Sequence, residues 1–175
     1  MRIITGYLKG RTFNSPKGEH THPMGDKIRG ALFNILGDIE GLHILDAFAG
    51  SGAIGFEALS RGAASATLIE SDRVAQKNLT LNIHKLDLEK SARLVSSSTK
   101  AWLARSDDIF DVVIIDPPYD DIQQTTFLPL ADRTKPGGIL ALSLPPSAEI
   151  KLSKDFHIVI TKSYGDAQLH LYRRN

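Results

Sequence analysis

The sequence predicts an α/β domain built on a doubly wound, mostly parallel sheet of seven strands that ends in an antiparallel hairpin. Three observations predict it. Short apolar runs alternate with segments of helical periodicity from residue 26 to residue 144, the signature of strand–helix–strand units. Two further strand-like runs, 156–161 and 168–172, flank Gly165-Asp166, a pair suited to a tight hairpin turn. A glycine-rich loop, Gly50-Ser51-Gly52-Ala53-Ile54-Gly55, follows the first apolar run and opens a helical one, where such folds bind ligands.

The elements follow in order. Residues 2–13 alternate weakly around Gly6 and Gly10 and read as a short hairpin. Residues 14–25 are turn-rich. Ile28, Leu32, Ile35 and Leu36 recur at helical spacing from Asp26, and Gly37 is a suitable C-cap. Residues 1–37 thus form a hairpin-and-helix extension of a single domain spanning 1–175. Strands are expected at 42–46, 66–70, 93–96, 109–115 and 139–144. Helices are expected at 53–60, from the N-cap Asp72 to about residue 86, at 99–105 and at 122–131, with Pro136-Gly137-Gly138 stopping the last.

Composition excludes several chemistries. A chain of 175 residues, 42% apolar, can bury a real core. It has no cysteine, hence no disulfide, thiolate metal site or thiol nucleophile. No apolar run reaches membrane-span length, and Met1-Arg2-Ile3-Ile4-Thr5-Gly6 lacks the apolar stretch of a signal peptide. A soluble, cytoplasmic monomer is the expectation. No carboxylate cluster accompanies His20 and His22, so no metal is expected. Net charge is only +1, but residues 1–30 carry Arg2, Lys9, Arg11, Lys17, Lys27 and Arg29 against Glu19 and Asp26.

The run Asp116-Pro117-Pro118-Tyr119 closes the fourth strand. Proline lacks an N–H and biases its predecessor toward extended backbone. The run therefore offers acceptors, namely the Asp116 carboxylate and the Asp116 and Pro117 carbonyls, with hardly any donors. Such an array suits an amine whose hydrogens must be held while its nitrogen reacts, and Tyr119 could stack on a flat base. A rigid loop closing a strand is the plainer alternative. Gly50, Gly52 and Gly55 match the dinucleotide fingerprint, with Glu70 at the spacing of a ribose-binding acid. An NAD dehydrogenase is one reading. Asp46 argues for another, because a carboxylate just before the loop would repel a pyrophosphate and attract the ammonium of S-adenosylmethionine. Asp46, Phe48, Gly50, Ser51, Gly52 and Glu70 are then the candidate cofactor contacts, with packing as the competing role of Phe48.

Asp46-Ala47-Phe48-Ala49-Gly50-Ser51-Gly52-Ala53-Ile54-Gly55-Phe56-Glu57-Ala58-Leu59-Ser60-Arg61-Gly62-Ala63, then Glu70, then Asp116-Pro117-Pro118-Tyr119, resemble the RsmD family. Arg2-Ile3-Ile4-Thr5-Gly6, Lys9-Gly10-Arg11 and Asp26-Lys27-Ile28-Arg29-Gly30-Ala31-Leu32-Phe33-Asn34 extend the resemblance over most of the chain. It implies a class I, Rossmann-like methyltransferase that uses S-adenosylmethionine on the exocyclic 2-amino group of a guanine in small-subunit ribosomal RNA, free or in an assembling 30S particle. It also implies that the extension binds RNA, with Arg2, Lys9, Arg11, Lys27 and Arg29 as the contacts. The catalytic set would be Asp116, Pro117, Pro118 and Tyr119. Two positions depart from the family pattern. His22-Pro23-Met24 stands where an Arg-Pro-Thr is usual. Ser96, Ser97 and Ser98 stand where an acid usually faces the adenine amine, Ser98 nearest in register. Two alternatives are an amino-methyltransferase acting on adenine or cytosine of DNA, and an RNA-binding or assembly protein without activity.

Overall fold

The computed structural model describes residues 1–16, 24–118, 124–148 and 150–175. Within them the chain runs α1 (Asp26–Leu36), β1 (His43–Asp46), α2 (Ala53–Ser60), β2 (Ser65–Glu70), α3 (Arg73–Lys85), β3 (Ala92–Ser96), α4 (Thr99–Leu103), β4 (Phe110–Ile115), α5 (Gln124–Ala131), β5 (Thr134–Leu144), β6 (Phe156–Tyr164) and β7 (Ala167–Arg174). One sheet collects all seven strands in the order β3-β2-β1-β4-β5-β7-β6. Only β7 runs against its neighbours, between β5 and β6. The chain winds outward from β1 through β2 to β3, then crosses back to β4. β1 therefore flanks the switch point, where ligands bind in open α/β sheets.

Side-chain alternation splits the core into two layers. Ile44, Leu68, Ile114 and Ala141 face a cluster containing Leu32, Phe33, Phe56, Leu59 and Leu79. Leu45, Ile69, Val113, Ile115 and Leu142 face another, with Trp102, Phe127 and Leu130. Strands covered on both faces read as continuous apolar runs, which is why β1, β2 and β4 were visible in sequence. The same period of two puts Asp46, Glu70 and Asp116 on the Ile44 face, at the carboxyl ends of three adjacent strands.

The N-terminal extension is held mainly by α2. All eight residues of α2 are buried, two of them as polar anchors. Glu57 accepts from the N–H groups of Ile4 (2.8 Å) and Thr5 (3.1 Å). The Ser60 hydroxyl donates to the Thr5 carbonyl (2.6 Å) and accepts from the Leu8 N–H (3.0 Å). Gly6 lies so close that a Cβ there would sit 1.7 Å from the Ser60 carbonyl oxygen. The expected hairpin is accordingly reduced to one antiparallel bridge, Arg2 with Thr12. Its backbone groups are satisfied by helix side chains as much as by a partner strand.

Two expectations change. Pro136-Gly137-Gly138 lies inside β5 and does not stop α5, which ends at Ala131. The triplet absorbs a register shift: Phe110 pairs with Thr134, but Val112 pairs with Ile139. A Cβ on Gly138 would meet the Asp111 carbonyl at 2.7 Å, so this bulge folds tightly on β4. Second, Arg29 is not an RNA contact. It is completely buried, donating to the carbonyls of Met24 (3.2 Å) and Arg2 (3.0 Å) and to Asp26 (2.9 Å), with Glu57 at 3.9 Å. Arg11 is also committed. Its guanidinium caps the C-terminus of α3 through the Lys85 and Leu86 carbonyls and pairs with Asp87, the favourable end of a helix for a cation. Lys17, Glu19, His20, His22, Pro23 and Tyr119 lie outside the described residues.

Candidate active site

The loop after β1 straddles the switch point. The Ala47 N–H bonds to the Ile114 carbonyl on β4 (3.0 Å), and the Ala49 N–H to the Ile69 carbonyl on β2 (2.9 Å). Gly50 and Gly52 then take left-handed backbone, φ +52° and +82°. Their reasons differ. A Cβ on Gly52 would fall 2.5 Å from the Phe56 ring and 2.6 Å from Leu79, whereas one on Gly50 would meet no atom of the described residues within 4 Å. Gly52 is required by packing, and Gly50 leaves backbone bare toward open space. Gly55 serves helix–strand contact, since its Cβ would strike Leu68 at 2.2 Å.

Three carboxylates line the rim beside this loop. Glu70 accepts from the N–H groups of Gly50 and Asp72, both at 2.7 Å, so it fixes the loop as well as facing the crevice. Asp46 is buried and accepts from the Gly55 N–H through Oδ2 (3.2 Å). Its Oδ1 is buried and completes no hydrogen bond among the described residues. Burial above all, then the charges of Asp116 and Glu70, push the Asp46 carboxyl up to about 7 against the opposing Gly55 and Phe48 N–H groups. Burial likewise pushes Asp116 up to about 6, with the Ser143 hydroxyl acting against it. Pro117 is buried and Pro118 exposed. The rim thus holds concentrated negative charge, an orphaned acceptor and a proline-locked strand end. It can receive a cation beside Asp46 and an amine beside Asp116.

The scan of family models matches residues 1–173 to the family described as conserved hypothetical protein 95. The chain belongs to this family. "Ribosomal RNA small subunit methyltransferase D" of Escherichia coli K12 is 42% identical over 120 residues, which are 68% of this chain and 60% of that protein's length. The Haemophilus influenzae protein of the same name is 29% identical over 180 residues, covering 99% of this chain and 93% of the relative. Among solved structures, Escherichia coli yhhF superposes with a TM-score of 0.89 at 33% identity, covering 100% of this chain and 98% of that one.

The remaining candidates divide by what they touch. Ser51 is buried in the glycine loop. Phe48 sets its ring edge-on to Phe127, centroids 6.3 Å apart, so its packing role is real. Ser98 caps α4, its Oγ accepting from the Ala101 N–H at 3.2 Å, a local duty that explains a serine there without a ligand. Arg2, Lys9 and Lys27 stay exposed around a cleft of ≈ 440 Å³ that Ile3, Ile4, Gly10 and Asp26 also line. Sequence reasoning missed Ser143 and Glu57. Glu57 stood in the family motif without a role, and Ser143 gave no signal beyond being polar in an apolar strand. Among the described residues no group of three or more His, Asp or Glu is placed to hold a metal ion, and no helix is long and apolar enough to cross a membrane.

Proposed function

We propose that this protein binds S-adenosylmethionine in the crevice beside β1 and methylates the exocyclic 2-amino group of a guanine in small-subunit ribosomal RNA. The observation that carries the reading is Asp116, proline-locked at the end of β4 and on the same sheet face as Asp46 and Glu70. The cofactor fits the residues present. Among the described residues Asp46 Oδ1 is a buried acceptor that completes no hydrogen bond, as the ammonium of a methionine moiety would require. Gly50 opens the backbone to it, and Glu70 keeps lone pairs for ribose hydroxyls. When bound, S-adenosylmethionine supplies a methyl group on a sulfonium, an electrophile that needs no metal.

The protein's own part is positioning and charge. A guanine amine is a poor nucleophile because its lone pair is shared with the ring. As it attacks, its nitrogen becomes positive, and the Asp116 carboxylate with the Pro117 carbonyl can accept its hydrogens. Preorganised partners of this kind are worth a few kcal/mol in a dry site. The base must be unstacked to reach the rim, and Tyr119 is proposed as its stacking partner. The exposed Arg2, Lys9 and Lys27 would contact phosphates, which position RNA without reading its sequence.

The test pairs calorimetry with S-adenosylmethionine with methylation of ribosomal RNA and of small-subunit particles, followed by nucleoside digestion. N2-methylguanosine supports the reading. Methylated adenine or cytosine, or methylation of duplex DNA, replaces the substrate. No cofactor binding at millimolar concentration removes the enzyme.

Two further results are expected. Gly50→Ala should cut cofactor affinity at least tenfold with about 1 kcal/mol lost in stability, the order of a left-handed alanine. Gly52→Ala adds overpacking against Phe56 and Leu79 and should cost roughly 2–4 kcal/mol. Thermal melts and calorimetry separate the two, and equal melting temperatures would refute the assignment. Lys9→Glu with Lys27→Glu should weaken RNA binding and flatten its salt dependence at unchanged melting temperature; an unchanged salt slope would make this face ordinary surface.

A further inference from the structure

Ser143 is a buried hydroxyl between Leu142 and Leu144 on β5, 3% exposed. A hydroxyl in such a place costs free energy unless it is bonded, and the ladder brings a candidate partner opposite it. Ile115 pairs with Leu142 in the parallel β4–β5 register. One step further, Asp116 comes opposite Ser143. By the period of two, both side chains point to the face of Ile114 and Ala141. On the other side Ser143 pairs with Leu169 of β7, which brings no charge. Among the described residues the charged groups on this rim are Asp46 of β1, next to Asp116, and Glu70 of β2 beyond it. Asp46 and Asp116 repel each other, and among the described residues the Ser143 hydroxyl is what pulls the proton affinity of Asp116 down.

We propose that Ser143 is a positioning residue: its hydroxyl donates to one oxygen of Asp116 and so aims the other at the target amine. This rests on the methyltransferase reading above. A carboxylate just before two prolines has its backbone restricted but its side-chain torsion free. A donor from the neighbouring strand removes that freedom and keeps the carboxylate ionised beside the like charge of Asp46. A hydrogen bond to a charged group is worth enough to move a rate by about tenfold.

The experiment compares wild type, Ser143→Ala and Ser143→Thr. Carbon-13 NMR follows the Asp116 carboxyl through a pH titration of cofactor-free protein, assigned with Asp116→Asn. Calorimetry gives S-adenosylmethionine affinity, thermal melts give stability, and single-turnover transfer to small-subunit ribosomal RNA gives the rate. In Ser143→Ala, Asp116 should titrate at higher pH, and transfer should fall about tenfold, still depressed above pH 8. Cofactor affinity should stay within twofold, and Ser143→Thr should recover most of the rate. An Asp116 titration identical in wild type and Ser143→Ala overturns the proposal, whatever the activity. So does a rate loss matched by an equal loss of cofactor affinity or by a collapse of the melting temperature. If wild type methylates no RNA, the functional reading falls, and the Asp116 titration still decides the contact.

Discussion

Asp116→Ala is expected to lower methyl transfer by roughly a hundred- to thousandfold, the scale for removing one preorganised partner of a developing charge, while S-adenosylmethionine affinity changes only a few-fold. The split follows from placement. Asp46, Gly50 and Glu70 sit at β1, the loop and β2, whereas Asp116 lies across the switch point on β4. In the proposed mechanism its carboxylate meets the incoming amine and leaves the methyl donor to the other two strands. Single-turnover rates and calorimetry on the same preparation test this, and near-wild-type turnover would sink the mechanism. The pH dependence has a definite sign. Asp116 must be ionised to accept, and burial raises it to about 6, so activity should fall as pH drops through 6. Stability of the cofactor-free protein runs the other way. Asp46 and Asp116 have folded-state values raised above the ordinary 3.8, to about 7 and 6. Between about pH 4 and 7 the folded state holds protons that the unfolded chain has released, and stability falls as pH rises through that window. A melting temperature higher at pH 5.5 than at pH 8, with the difference reduced in Asp46→Asn, is the expected record.

The sheet and the crevice were legible because both depend on local pattern. β2 and β4 are short apolar runs because they are covered on both faces. Asp72 marked the start of α3, and its carboxylate does accept from the Val74 and Ala75 N–H groups. Asp46, Glu70 and Asp116 could be brought to one rim because strand ends and a period of two fix their side. What sequence did not yield depends on partners far along the chain. Arg29 looked like a surface cation on a helix, and nothing near it announces that Glu57 would be its neighbour. Pro136-Gly137-Gly138 has the local chemistry of a stop, but its geometry belongs to the pairing with β4. Ser98 was placed by register in the crevice, and its first commitment is to cap α4.

Arg29→Met and Glu57→Ala should each destabilise the fold by about 3–5 kcal/mol, the cost of breaking a buried ion pair from one side. Each removes more than a pair. Without Arg29, the carbonyls of Met24 and Arg2 lose buried or part-buried donors at 3.2 and 3.0 Å. Without Glu57, the N–H groups of Ile4 and Thr5 lose their acceptor, the Arg61 Nε loses a 2.8 Å partner, and Arg29 keeps Asp26 as its one counter-charge among the described residues. Unsatisfied groups of this kind carry the full desolvation penalty. In a domain of this size the melting temperature should drop by roughly 10 °C. The double variant should lose less than the sum of the two, because the partners share one network. The comparison with Lys9→Glu is decisive for the role of the extension. Arg29→Met should lower stability and leave the RNA salt slope intact at a temperature where it is folded, and Lys9→Glu should do the reverse. A flattened salt slope in Arg29→Met at full stability would return that arginine to the RNA-binding face. The expected pattern instead makes Glu57 and Arg29 the anchor that holds the cationic segment on α2, the helix whose first turn closes the glycine loop.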